Sequence, residues 1–393
     1  MTSRSLLIVL LFALPLAAVH AEEPGGGFVT EVRRSIDAAE NLENGVVRVE
    51  PWAFVSIAFG YSGFSLFPGL ETVLWYTFGG DLDSAGYYRL PDGTMYSGAD
   101  PEVDPESDIF YYFVRSQFSL GVSQGILPGT QKNRNLLEWY FFTRFQSDSY
   151  FFQRGERENH LLLRSSLPEK DGIALIYCIT GFNLSTERRQ KESRVRTGFT
   201  ADLCGSAAPG TGLNVVGGQR YSYGGVHLDL RGFLPYVEIV SDRGLNIFSV
   251  YQGWWLRGDY VFGEYIPLQV LQNVTGRMWN EGLGGAVRGA DTNRYPAPLK
   301  IIASTDLRFN LPALGVRSLL PGAVLFFDAG YYRFFEEVRG EDEAGILLSA
   351  GGGLFIDVFG IGEIVAQAAF LCNSTNIDGS RFTPFDLTLN LHF

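Results

Sequence analysis

The chain has 393 residues, of which 46% are hydrophobic and 14% aromatic, with 47 glycines and a formal net charge of −12. That charge argues against nucleic acid as a partner, because phosphate binding needs basic patches. Three cysteines, Cys178, Cys204 and Cys372, are too few for a disulfide framework. Cys178 and Cys204 would pair only if neighbouring strands brought them together; small apolar side chains in a core or on a lipid face are the simpler reading.

In chain order, Arg4 precedes an apolar run from Leu6 to Leu14, then Pro15 and small residues ending in Val19-His20-Ala21. This is the pattern of a secretory signal peptide over residues 1–21, cleaved after Ala21. The run is too short for a membrane helix, and no later segment approaches the roughly 20 apolar residues that one needs. A secreted chain rich in aromatics and glycine, without membrane helices, is a β-sandwich or a membrane barrel. Residues 22–45 form a short leader, with a small amphipathic helix over 28–42, far too small for a folded domain. Everything from 46 to 393 reads as strand, turn, strand.

Period-two alternation predicts about sixteen strands, at 48–60, 69–79, 109–121, 135–146, 158–166, 173–184, 194–204, 219–231, 243–254, 256–265, 268–279, 299–311, 321–332, 345–357, 361–371 and 383–393. Each is long enough to cross a bilayer at a tilt. The first contains Pro51, which cannot donate a ladder hydrogen bond; it either weakens the junction with the last strand or merely begins its own. Residues 80–108 are long, polar and acidic and read as a turn, where a hidden hairpin would change the count.

The last five spans alternate most cleanly. In 299–311, Leu299, Ile301, Ala303, Thr305, Leu307, Phe309 and Leu311 oppose Lys300, Ser304, Asp306, Arg308 and Asn310. In 321–332, Leu325, Phe327, Ala329 and Tyr331 oppose Asp328, and in 345–357, Ile346, Leu348, Leu354 and Ile356 oppose Ser349 and Asp357. The final strand sets Phe385, Leu387, Leu389, Leu391 and Phe393 against Asp386, Thr388, Asn390 and His392. A sandwich would have to bury Lys300, Asp306, Arg308, Asp328 and Asp357 in a dry core, which is costly. A wet lumen accepts them. The fold class is therefore all-β, a transmembrane antiparallel β-barrel with lipid outside.

Two motifs carry the functional reading. Glycines cluster around one arginine in Gly282-Leu283-Gly284-Gly285-Ala286-Val287-Arg288-Gly289, and glycine permits φ > 0 and close backbone approach, so this is a compact folded tip. About forty residues later comes Phe326-Phe327-Asp328-Ala329-Gly330, with Asp328 on the luminal face by the alternation above. An arginine folded inward would meet that carboxylate bidentately.

Gly-Gly-x-Val-Arg-Gly followed by Phe-x-Asp-x-Gly resembles the Omp85 superfamily, the surface antigen D15 or BamA/TamA family of outer-membrane assembly and translocation barrels. Asp306-Leu307-Arg308, Gly351-Gly352-Gly353 and Phe359-Gly360-Ile361-Gly362 follow in the family's order, and the likeness covers residues 219–393. It implies a sixteen-stranded barrel whose sixth extracellular loop folds into the lumen. Arg288 would be the loop tip, with Gly285, Val287 and Gly289; Asp328 would hold it, with Phe326 and Gly330 completing the strand motif. Phe393 resembles the family's terminal assembly signal. Two departures stand out. Ala290 replaces the aromatic after Arg-Gly, for which Tyr295 is the candidate substitute, and the leader has no room for the periplasmic POTRA domains that receive client chains.

The resemblance implies a monomeric barrel in outer-membrane lipid that inserts or translocates unfolded outer-membrane proteins through a weak seam between first and last strands, with Pro51 and Phe393 at that seam. The alternative is a passive channel or surface antigen with a loop-plugged lumen and no client. No enzyme, metal or cofactor is expected. His160, His227 and His392 are scattered without ligand spacing, and neither a Gly-x-Ser-x-Gly elbow nor a phosphate-binding loop occurs.

Overall fold

A computed structural model describes residues 46–51 and most of 56–391; residues 1–45, 52–55, 97–107, 153–172, 392 and 393 and several shorter connecting stretches lie outside it. The signal peptide, the leader helix, the strand expected at 158–166 and Phe393 therefore fall outside the described residues.

The strands are β1 (Val46–Pro51), β2 (Ser56–Phe64), β3 (Thr72–Arg89), β4 (Met95–Tyr96), β5 (Asp108–Pro128), β6 (Asn135–Phe152), β7 (Ile173–Ser185), β8 (Arg188–Arg189), β9 (Arg196–Ala208), β10 (Val215–Val216), β11 (Gln219–Arg220), β12 (Ser222–Val240), β13 (Asn246–Glu264), β14 (Asn273–Val274), β15 (Asn280–Glu281), β16 (Leu299–Asn310), β17 (Leu319–Phe334), β18 (Glu343–Val358), β19 (Gly362–Leu371) and β20 (Phe382–Leu391). Two short helical turns, α1 (Leu268–Gln272) and α2 (Leu283–Ala286), lie between β13 and β16. One sheet holds sixteen strands. Its path runs β1-β2-β3-β5-β6-β7-β9-β12-β13-β16-β17-β18-β19-β20, with β4 on β3 and β8 on β9. Every ladder is antiparallel between strands close in sequence, so the wall is a meander of hairpins.

The sixteen are not the sixteen expected. The span at 48–60 is two strands, with Pro51 the last residue of β1, opposite Ile57. The spans at 243–254 and 256–265 are one unbroken strand, β13, because Trp254 and Trp255 keep alternating faces and their partners Thr305 and Ser304 stay in register. The span at 268–279 leaves the wall for α1 and the small β14–β15 pair. β3 extends ten residues into the acidic segment expected as a turn, to Arg89, and pairs with β5 as far as Tyr88 with Asp108. Counted along the path of the described residues, the β13–β16 connection is the fifth on its side, where the resemblance implies a sixth. Among the described residues, no ladder joins β1 to β20.

The two faces of the wall differ as the alternation requires. On β17, Leu325 and Phe327 are 57% and 45% exposed, while Phe326 between them and Asp328 after them are buried. Every path strand from β3 to β20 presents a large apolar side chain outward, among them Phe78, Leu120, Phe141, Phe182, Leu203, Val226, Phe262, Ile301, Leu354, Phe370 and Phe385. An apolar belt this extensive exceeds what a water-soluble monomer exposes and suits a hydrocarbon solvent. No helix among the described residues is long and apolar enough to cross a membrane, which says nothing of strands.

The described residues of the segment between β13 and β16 lie against the inner face. Its Arg277 pairs with Glu138 on β6 at 2.7 Å, and its Gly289 carbonyl accepts from Thr383 on β20 at 3.2 Å. One short insert reaches two strands nine steps apart on the path only because the sheet curls around it. The inward charges are not bathed as expected. Lys300, Asp306, Arg308, Asp328 and Asp357 are all buried, and each is paired: with Asp259, Arg288, Glu363, Arg288 and Arg194. At this level side chains and insert occupy most of the interior.

Candidate functional site

The centre of the insert is Arg288. Its Nε and Nη2 donate to the two carboxylate oxygens of Asp328 at 2.8 and 2.6 Å. Nη2 also donates to Asp306 at 2.7 Å, and the Arg288 backbone amide donates to Asp328 at 3.0 Å. The sheet register explains the convergence. Asp306 stands opposite Phe326, two residues before Asp328 on the same face, and Asp328 stands opposite Ser349. Ser349 completes the cradle by donating to the Arg288 carbonyl at 2.5 Å. The guanidinium lies 3.7 Å from the centre of the Phe326 ring, a cation–π contact that shields its open face. Burial works against the charged guanidinium, but the hydrogen bonds of Asp328 and the charges of Asp306 and Asp328 outweigh it and hold Arg288 above its ordinary pKa.

Backbone geometry delivers the arginine there. Gly285 and Gly289 have φ of 93° and 86°, a region that glycine enters without penalty. The chain thus reverses on either side of Val287 and Arg288. Leu283 and Val287 are fully buried among Ile302, Tyr332, Leu347 and Leu371. They lie flat on Gly330, where an added Cβ would stand 2.2 Å from Leu283 Cδ2 and 2.8 Å from Val287 Cγ2. Gly330 is therefore the floor on which the insert rests. Tyr295 is buried against Tyr332, ring centroids 4.9 Å apart, so an aromatic does wedge the insert, five residues past Ala290. The structure thus brings together Gly285, Val287, Arg288, Gly289, Phe326, Asp328 and Gly330. Pro51 is remote from them in the sheet order. A cavity of about 160 Å³ between insert and wall is lined by Trp255, Arg257, Arg288, Ser304 and Asp306, with room for a few waters.

A second constellation was missed from sequence. Ser206, His227, Asp259 and Lys300 form a row across β9, β12, β13 and β16. Ser206 Oγ is 2.7 Å from His227 Nε2, His227 Nδ1 bonds Asp259 Oδ1, and Lys300 Nζ stands 2.9 Å from Asp259 Oδ2. The contacts need three ladders in register, His227 opposite Asp259, Asp259 opposite Lys300 and Ser206 opposite Gly225. Serine, histidine and aspartate stand in the order of a hydrolase triad. Two features set the row apart from one. Lys300 neutralises the aspartate, and Gly276 of the insert covers His227, an ideal Cβ there falling 3.2 Å from His227 Cβ. Lys300 also donates to the carbonyls of Leu271 and Ala297 at 2.8 Å each, tying the two ends of the insert together. The row is a buried chain of contacts that ends on this lysine.

Cys178 and Cys204 are both free. Cys204 is buried on the inner face, while Cys178 stands opposite Ala207 between the inward Tyr177 and Ile179, so the two thiols point to opposite sides of the wall. No group of metal-ligating side chains occurs among the described residues.

The geometry defines a class: an antiparallel β-wall with a lipid-suited exterior, closed inside by an arginine-locked insert. No protein-family model matches the chain, and no curated protein matches it. Among solved structures, the chain is similar to BamA from Haemophilus ducreyi lacking POTRA domains 1–3, at 13% identity and a TM-score of 0.42, over 96% of this chain and 81% of that one. At that score, the fold and the site rest on the chain's own geometry.

Proposed function

We propose that this chain is an Omp85-like outer-membrane barrel that acts without enzymatic chemistry, inserting or translocating other chains at the junction of its first and last strands. The observation that carries the reading is the Arg288 cradle. The tip of the β13–β16 connection is held by Asp328, the partner that the Omp85 resemblance implies, and also by Asp306. The lock would keep the C-terminal strands β16 to β20 as one rigid body, so that any opening falls at the edges of the path. An edge strand offers unpaired backbone groups on which a client strand pairs. The Pro51 position in β1, lacking an N–H, would leave that edge one ladder bond weaker.

A second reading has its own support. The paired charges and the insert occupy most of the interior at the level of the lock, which favours a plugged barrel with no client. Depletion separates the two. If the first holds, depleting the protein lowers the folded levels of other outer-membrane proteins. If those levels and their heat-resistant folding are unchanged, the insertion reading fails and the plugged barrel stands.

A further inference from the structure

The insert touches the wall in a second place that the Arg288 motif does not account for. Arg277 Nη1 donates to Glu138 Oε1 on β6 at 2.7 Å, and its guanidinium lies 4.7 Å from the ring centre of Tyr140 on the same strand. Arg144, also on β6 and buried, donates through Nη2 to the Arg277 carbonyl at 2.8 Å and through Nη1 to the Gly276 carbonyl at 3.4 Å. Arg277 lies outside the strands. Burial works against its charge, but Glu138 and Asp202 outweigh this and hold its pKa above the ordinary arginine value.

The two contact sites are on opposite walls. Between β6 and β16 the path holds β7, β9, β12 and β13, and the lock itself spans β16 to β18. The insert also belongs to two separate apolar clusters. Val270 packs with Tyr140, Phe142, Leu175 and Tyr223, whereas Val274 packs with Leu283, Val287 and Tyr332. The chain passes from one cluster to the other within four residues, then returns to β6 through Arg277. A plug that only occluded the lumen would need one anchor. This segment has charge-assisted anchors on both sides, each buried and each supplied with extra hydrogen bonds.

We infer that Arg277 is a second anchor, held by Glu138 and Arg144, and that the insert is a cross-brace fixing β6 against β16–β18. Freeing the Arg288 lock then does not by itself free the insert. The inference rests on the locked-insert reading only in placing the insert inside the wall.

The test uses the full chain folded in detergent, with Glu-C cleavage after Glu281 followed by mass spectrometry. The variants are Arg277→Ala, Glu138→Gln, Arg288→Ala and their combinations, with heat-resistant migration checking that each barrel stays folded. Arg277→Ala is expected to raise the cleavage rate about tenfold in the wild-type background and about tenfold again in the Arg288→Ala background, because independent anchors multiply. Glu138→Gln should reproduce much of the Arg277→Ala effect and add little to it, since both break one contact. Arg277→Lys, which keeps the charge, should recover part of the protection and serves if Arg277→Ala does not fold. A change below threefold in both backgrounds overturns the second anchor. A wild-type protein cleaved as fast as the denatured chain overturns the folded-in insert itself, which is a different result.

Discussion

Replacing Asp328 with alanine removes the acceptor of two guanidinium hydrogen bonds and of the Arg288 backbone amide. Breaking a buried ion pair by deleting one partner costs about 3–5 kcal/mol, because the surviving charge is left without compensation. Asp306 still faces Nη2 at 2.7 Å, so the lower end applies, about 3 kcal/mol. At about 1.4 kcal/mol per tenfold, the seated insert loses a factor of roughly 150 against the unseated one. The assay is the rate of proteolysis within residues 282–290, with heat-resistant migration as the control for the wall. Asp328→Arg should be worse, setting two cations against Asp306 alone. Arg288→Asp combined with Asp328→Arg should recover part of the loss, but not all, because the amide of residue 288 still lacks its acceptor. Asp328→Ala and Asp328→Arg proteins as protected as wild type would refute the pairing as the source of the hold.

Other substitutions probe separate parts of the account. Gly330→Ala places a Cβ within 2.2 Å of Leu283 and should cost about 1–3 kcal/mol, read as faster proteolysis of the insert. Leu325→Arg on the outer face should cost about 2–4 kcal/mol of folding stability if that face meets lipid near the midplane, measured by refolding into vesicles, and close to nothing if it meets water. Lys300→Met should leave the buried Asp259 with His227 alone and lower stability by about 3 kcal/mol, seen as a lower melting temperature of the heat-resistant form. Ser206 should not react with a fluorophosphonate, since Lys300 neutralises the aspartate of its row and the insert covers the histidine. Labelling of the wild type that disappears in Ser206→Ala would make the chain an enzyme.

The legible parts were those written in local alternation. β16, β17 and β18 each carry charges on one face and apolar residues on the other, so the inward direction of Lys300, Asp306, Arg308 and Asp328 followed from period two alone. The Arg288 tip was legible because its flanking glycines mark positive φ. Elsewhere period two misled. In 268–279, Val270 and Leu271 are consecutive and both buried, as a helical turn under a wall allows, yet a short apolar run looks the same in a strand. At β13 the expected spans 243–254 and 256–265 part at Trp255, where three consecutive apolar residues interrupt the alternation but the ladder continues. The pairing of Arg277 with Glu138 spans 139 residues and leaves no local signal. The Ser206 row depends on three registers at once, and a one-residue slip in any would scatter it. Nor does alternation tell a wet lumen from a filled one, since both put charge inside.

The decisive measurement is a cryo-EM map of the purified protein in a lipid nanodisc. With Arg288 seated inside a lipid-facing wall, density for residues 282–290 lies within the wall, the Arg288 side chain rests against Asp328 and Asp306, and the nanodisc belt is level with Leu325 and Phe327. Density for those residues outside the wall, with Asp328 facing open solvent, would contradict that seating.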